Sequence, residues 1–80
     1  NSIKIEAFPN PFSHNFNLIL PESFQNIEVQ VSDAFGKIFL IKNFSNSYEL
    51  QVEAGELHPG LYFVQVIADK KKANIKLIAY

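Results

Sequence analysis

The stretch LHPGLYFVQV, residues 57–66, sets a Pro-Gly pair directly before a run that is apolar on both of its alternating faces. Pro59 and Gly60 fit the second and third places of a type II turn over His58–Leu61. Proline presets φ for the second place, and glycine enters positive φ without steric cost at the third. The turn launches residues 61–68 as a strand, with Leu61, Phe63 and Ile67 on one side and Tyr62, Val64 and Val66 on the other. A strand apolar on both sides belongs in the middle of a sheet.

Outward from this strand the period stays at two. Downstream, DKKK (69–72) forms a hairpin tip, and residues 73–80 return with Ala73, Ile75, Leu77 and Ala79 on one face and Asn74 and Lys76 on the other. Upstream, Tyr48, Leu50 and Val52 alternate with Glu49, Gln51 and Glu53, and the strand ends at Ala54 and Gly55. Residues 38–41, IFLI, read as a short covered strand, followed by a polar turn in KNFSNS (42–47). DAFGK (33–37) has the spacing of a type I turn with a left-handed glycine at Gly36, which makes a hairpin of its flanks. Ile27, Val29 and Val31 alternate with Glu28, Gln30 and Ser32, so one face of that strand meets water. PESFQN (21–26) reads as a loop, and Phe16, Leu18 and Leu20 line one face of an earlier strand. The first strand covers residues 3–8 and stops at PNPF, where Pro9 and Pro11 lack ladder donors and Asn10 is a turn former. Seven short strands at intervals of roughly ten residues, with no segment of helical period, predict a seven-stranded immunoglobulin-like antiparallel β-sandwich.

Composition agrees with a single domain over residues 1–80. The chain is 48% hydrophobic and 14% aromatic, too apolar for a solvated coil. Its net charge is −1 and it has no Arg, the side chain best shaped for forked phosphate contacts, so nucleic acid is not expected as a partner. No apolar stretch reaches the roughly 18–20 residues that span a bilayer. With no Cys, a disulfide framework, a thiolate zinc site and a cysteine nucleophile are excluded. The chain opens on Asn1 rather than Met and enters strand pattern at once, as a module cut from a longer protein would.

Chemistry-bearing patterns are sparse. His14 and His58 are the only imidazoles, each beside a turn and neither in a metal-binding motif. Glu28, Glu49 and Glu53 fall on solvent faces of alternating strands rather than in an acid–base pair. No catalytic residue, cofactor site or metal site is expected. The Asn43-Phe44-Ser45 sequon is a match that chance supplies in a chain this rich in Asn. Phe8, Phe12, Phe16, Tyr48 and Tyr62 could in principle form a sugar-stacking platform, although core packing is the better use of such rings in a small domain. Lys70, Lys71, Lys72 and Lys76 crowd the last hairpin, where lysines guard edge strands against unwanted pairing. Past Lys76 the outer face turns apolar at Ile78 and Tyr80. That pattern calls for a covering loop or for a partner that adds to the sheet edge or takes the tail into a groove.

Four groups of residues carry a resemblance over nearly the whole chain. They are Pro9, Asn10 and Pro11; Asp33, Gly36 and Lys37; Leu57, Gly60, Leu61 and Tyr62; and Lys76, Leu77 and Ile78. In this order and spacing the chain resembles the type A C-terminal sorting domain of the type IX secretion system. The resemblance implies a secretion signal that directs a fused N-terminal cargo across the outer membrane, with cleavage of the domain and attachment of the cargo to the cell surface. The implied partners are the outer-membrane translocon, a shuttle protein and a sortase-type transpeptidase. The implied location is the periplasm of a Gram-negative bacterium in transit, then the medium or the cell surface. The first three groups are read as mainly structural, and Lys76, Leu77, Ile78, Ala79 and Tyr80 as the translocon contact. Family tails commonly carry another basic residue near the end, where this chain has Ala79 and Tyr80. Pairing of two copies through the last strand is a further expectation. Two other classes stay open, an Ig-like or fibronectin-like accessory module that binds carbohydrate or protein in a secreted enzyme, and a structural spacer.

Overall fold

The computed structural model describes residues 2–80, which leaves Asn1, the first residue of the expected domain, outside it. The architecture is all-β. Its strands are β1 (Glu6–Phe8), β2 (Asn15–Asp33), β3 (Ile38–Glu53), β4 (Gly60–Ala68) and β5 (Lys71–Ala79), all paired antiparallel in one curled sheet.

Five strands replace the expected seven because two of the predicted interruptions do not interrupt. PESFQN stays inside β2 and KNFSNS stays inside β3, since the two segments pair with each other as they cross, Phe24 opposite Ser47 and Asn26 opposite Ser45. A two-stranded ribbon keeps its ladder bonds through a bend that a lone strand could not make without a loop. The cost appears as a break in register between Ile19 and Phe24, where Pro21 sits exposed, and as a left-handed Asn46 at φ 51°. Within β2 the buried positions are Phe16, Leu18, Leu20 and Phe24 before the bend and Ile27, Val29 and Val31 after it. The bend thus shifts the buried parity by one, which keeps both halves of the strand facing one core.

The expected middle strand is found there. β4 lies between β2 and β5, in register Val31–Val64 and Val64–Ile75. Only Tyr62, Val64, Val66 and Ala68 are buried on it, while Leu61 is exposed and Phe63 and Ile67 are half-buried, so one of its two apolar faces is largely open. IFLI is likewise not a covered strand. Ile38, Phe39 and Ile41 are exposed on β3, and Leu40 alone among the four packs against the core. Tyr48 also departs from the buried face of Leu50 and Val52, because it falls in the register break.

The first predicted strand is divided between two neighbours. Ser2 bridges Lys72 of β5 in parallel, with the Ile3 N–H donating to the Lys72 carbonyl at 2.9 Å, and residues 6–8 then pair with β2. Ile3, Ile5 and Ala7 pack against the core along the way.

Candidate functional site

The four motif groups, as much as 68 positions apart, meet at one end of the sheet. Pairing alone establishes this. Asp33 lies opposite Tyr62, Tyr62 opposite Leu77, Leu61 opposite Ile78 and Gly60 opposite Ala79. Phe12 adds a parallel bridge to Ala79, and the Asn10 side chain reaches Ile78.

Each group holds this end by a different contact. In the DAFGK turn the Asp33 Oδ1 accepts the N–H groups of Phe35 and Lys37 at 2.8 and 2.9 Å. The Asp33 carbonyl accepts the Gly36 N–H at 3.1 Å, with Gly36 at φ 87°, the left-handed geometry expected of it. The Pro59-Gly60 pair differs from expectation. Pro59 sits in an open bend and Gly60 has φ 151°, well beyond the roughly +80° of a type II turn. The His58 carbonyl instead accepts the hydroxyl of Tyr62 at 2.7 Å. Tyr62 is buried, so its ring fills the core while its hydroxyl ties down the approach to the strand, as in the tyrosine corner of β-sandwiches. The Tyr62 ring also meets Phe39 edge-on at 5.8 Å between centroids, and the Lys37 ammonium stands 5.1 Å from the Phe39 centroid. Leu57 packs against the core from the preceding loop.

Pro9-Asn10-Pro11 proves to be a clasp on the tail rather than only the stop of a strand. Asn10 Oδ1 accepts the Ile78 N–H at 3.0 Å. The Phe12 N–H donates to the Ile78 carbonyl at 2.8 Å, and the Tyr80 N–H donates to the Phe12 carbonyl at 3.0 Å. The outer edge of β5, where the sequence calls for a covering loop or an added partner, is therefore occupied from Ile78 to Tyr80, and the Ile3 bond closes it again at Lys72. No local pattern announces such contacts. The one available signal was that Asn10 stands between two prolines, with a side-chain acceptor free to reach another strand.

The tail residues divide by face. Leu77 and Ala79 are buried and belong to the core, while Lys76, Ile78 and Tyr80 point outward, Ile78 at 48% and Tyr80 at 71% exposure. Among the described residues no loop covers them. Lys76 Nζ lies 6.0 Å from the Phe63 centroid.

The remaining candidates lie elsewhere. His14 is exposed, with Nδ1 2.8 Å from the Ser13 Oγ, and its carbonyl accepts the Ala54 and Gly55 N–H groups. Among the described residues no three histidine or carboxylate side chains gather where a metal ion could be held. Of the five rings considered as a sugar platform, Phe12, Phe16 and Tyr62 are core, and Phe8 and Tyr48 remain exposed. Phe8 borders a shallow depression of about 400 Å³ with Asn17, Ile19, Glu49, Leu50 and Gln51, residues of β1, β2 and β3.

A family model described as secretion system C-terminal sorting domain matches residues 6–80. No curated protein matches the chain.

Proposed function

The chain belongs to the family of secretion system C-terminal sorting domains, and from that premise we propose that the motif end of its sheet is what the export machinery reads. The family's function is this chain's function: a C-terminal sorting signal for type IX secretion, which implies a cargo protein, the secretion machinery and export across the outer membrane of bacteria. Residues 1–80 are then one sorting domain of a larger secreted protein. The cargo passes through the periplasm, meets a shuttle and the translocon, and is left in the medium or fixed to the surface of a Gram-negative cell by a sortase-type step that removes the domain. The domain itself performs no catalysis in this scheme. We also read the curled sheet as an immunoglobulin-like sandwich whose strands β2 and β3 run through from one layer to the other, a reading supported by the change of buried parity between Phe24 and Ile27.

The observation that carries the recognition site is the uncovered outer face of the tail, Lys76, Ile78 and Tyr80, beside core residues Leu77 and Ala79 that hold it in place. Exposed apolar side chains in a small domain mark a contact surface. Export of a fluorescent protein bearing a signal peptide and this chain, in a host with a type IX system, tests the reading. Fluorescence outside the cell with the chain, and periplasmic retention without it, is the expected result. Retention of both would overturn it. The tail is tested with Tyr80→Ser and Lys76→Glu, because ending the chain at Ile75 would also remove the fully buried Leu77 and so confuse folding with recognition.

A further inference from the structure

We propose that the tail is read as one side of a folded face, completed by Leu61 and Phe63 of β4 and by Phe35 at the neighbouring hairpin tip, and that its partner is an apolar pocket rimmed with carboxylates on the secretion machinery. The inference rests on the sorting function and adds residues and a mode of recognition to it.

The mode follows from the edge of β5. A partner strand that extended the sheet here would need the outward N–H and C=O groups of the tail. Those of Ile78 and the Tyr80 N–H are already bonded to Asn10 and Phe12. Period two turns the backbone groups of Asn74 and Lys76 to the same outer side, and Lys72 is met by Ile3. Only a window around Asn74–Lys76 remains, too short for a ladder. Recognition of the tail therefore goes through side chains.

Register shows which side chains stand beside it. Ile78 lies opposite Leu61 and Lys76 opposite Phe63. One strand further, Phe63 lies opposite Ser32, and Ser32 opposite Ile38. Leu61 is 42% and Phe35 95% exposed, while Gln30, Gln65 and Asn74 in the next row bound the apolar area with amides. A phenylalanine held almost wholly in water by a turn built on Asp33 fills no place in the core, so its packing partner lies outside this chain. The charge of the partner follows from the rim. Lys76 stands at the edge of the patch over the Phe63 ring, and the Asp33 carboxylate at this end is already engaged by two N–H groups. Carboxylates on the facing surface would complement the Lys76 ammonium.

The same reporter fusion tests this with Phe35→Ser and Leu61→Ser against Phe8→Ser and Tyr48→Ser, which are exposed on β1 and β3, strands that pair with neither β4 nor β5. Each purified variant is checked for an unchanged thermal melt. Each patch variant is expected to cut export about fivefold or more, as loss of an interface anchor does, and each control to export normally. Normal export of the Phe35 and Leu61 variants, with Tyr80→Ser retained, would confine reading to the tail and overturn the proposal while leaving the sorting function intact. Failure of the unaltered chain to export would instead remove the sorting function. Asn74→Pro removes an outward donor without touching the patch, and loss of export by that folded variant would restore edge pairing and sink the face. A dimer in sedimentation that Leu61→Ser dissolves would give the patch to a second copy.

Discussion

Each end of the sheet is tied by one aspartate, in opposite ways. At the motif end Asp33 accepts N–H groups two and four residues ahead in its own turn. At the bend end Asp69, in the β4–β5 tip at φ 54°, accepts the Asn26 N–H at 3.1 Å and the Gln25 N–H at 3.4 Å, more than 40 positions away. The Asp69 N–H returns to the Asn26 carbonyl at 2.8 Å. One aspartate shapes its local chain, and the other pins a hairpin to the fold-over of β2. The surfaces differ to match. The motif end exposes Phe35, Leu61, Ile78 and Tyr80, whereas the bend end exposes Tyr48 alone among the described large aromatic or aliphatic side chains, beside the charged Glu22, Lys70 and Lys71. The difference separates an end that must be held in shape to be read from one that has only to hold the sheet folded.

The strongest way to break the motif end is through its clasp. Phe12 is fully buried, meets Phe16 edge-on at 5.0 Å and supplies two of the bonds to the tail. Phe12→Ala is expected to cost about 3–5 kcal/mol. For 80 residues at roughly 0.05–0.15 kcal/mol each, total stability is about 4–12 kcal/mol, so the variant loses a large share of it. A thermal melt should fall by about 15 °C or more. A fall under about 5 °C would mean that the clasp lies on the sheet without supporting it.

The two aspartates give the next largest effects and test the comparison directly. Asp33→Ala and Asp69→Ala are each expected to cost about 1–2 kcal/mol in denaturant unfolding. They should part company on glycine. Asp69 holds a left-handed backbone that an L side chain occupies at a cost of about 1–2 kcal/mol, so Asp69→Gly loses the bonds but relieves the strain and should be milder than Asp69→Ala. No residue with positive φ stands at Asp33, and there Gly should be no better than Ala. Equal ranking of Gly and Ala at both positions would erase the distinction.

The same contrast explains what could be read in the sequence. Asp33 and Gly36 announced their turn because its bonds close within five residues, and the alternation of Ile27–Val31 and Ala73–Ala79 placed β2 and β5 on the core. Asp69 looked like an ordinary hairpin residue, and Asn10 like a strand stop, because their partners lie more than 40 positions away and no period marks them. The merging of seven expected strands into five has the same origin: Pro21 and Asn46 carry turn chemistry locally, and only the pairing of the two bends with each other keeps both strands continuous. Within the site, the motif residues were legible but their convergence was not. Leu61 and Phe35 were read as strand and turn residues because exposure of an apolar side chain has no sequence pattern until register supplies its neighbours.

The smallest effect belongs to the charges of the bend end. Lys71 Nζ lies 3.8 Å from Glu22 Oε2, with both side chains well solvated, and 5.9 Å from the Phe24 centroid. Glu22→Gln keeps the size of the side chain and removes its charge. A solvated pair at that distance is worth roughly 0–0.5 kcal/mol, and the lysine keeps its place over the Phe24 ring. The midpoint of a urea melt should move by no more than its error at moderate salt, and slightly more at low salt, where screening is weaker. A loss above about 1 kcal/mol would mean that the bend is tied by its ion pair as well as by Asp69. The contrast between one end held by hydrogen bonds for recognition and the other held by a single long-range clip would then need the charges added to it.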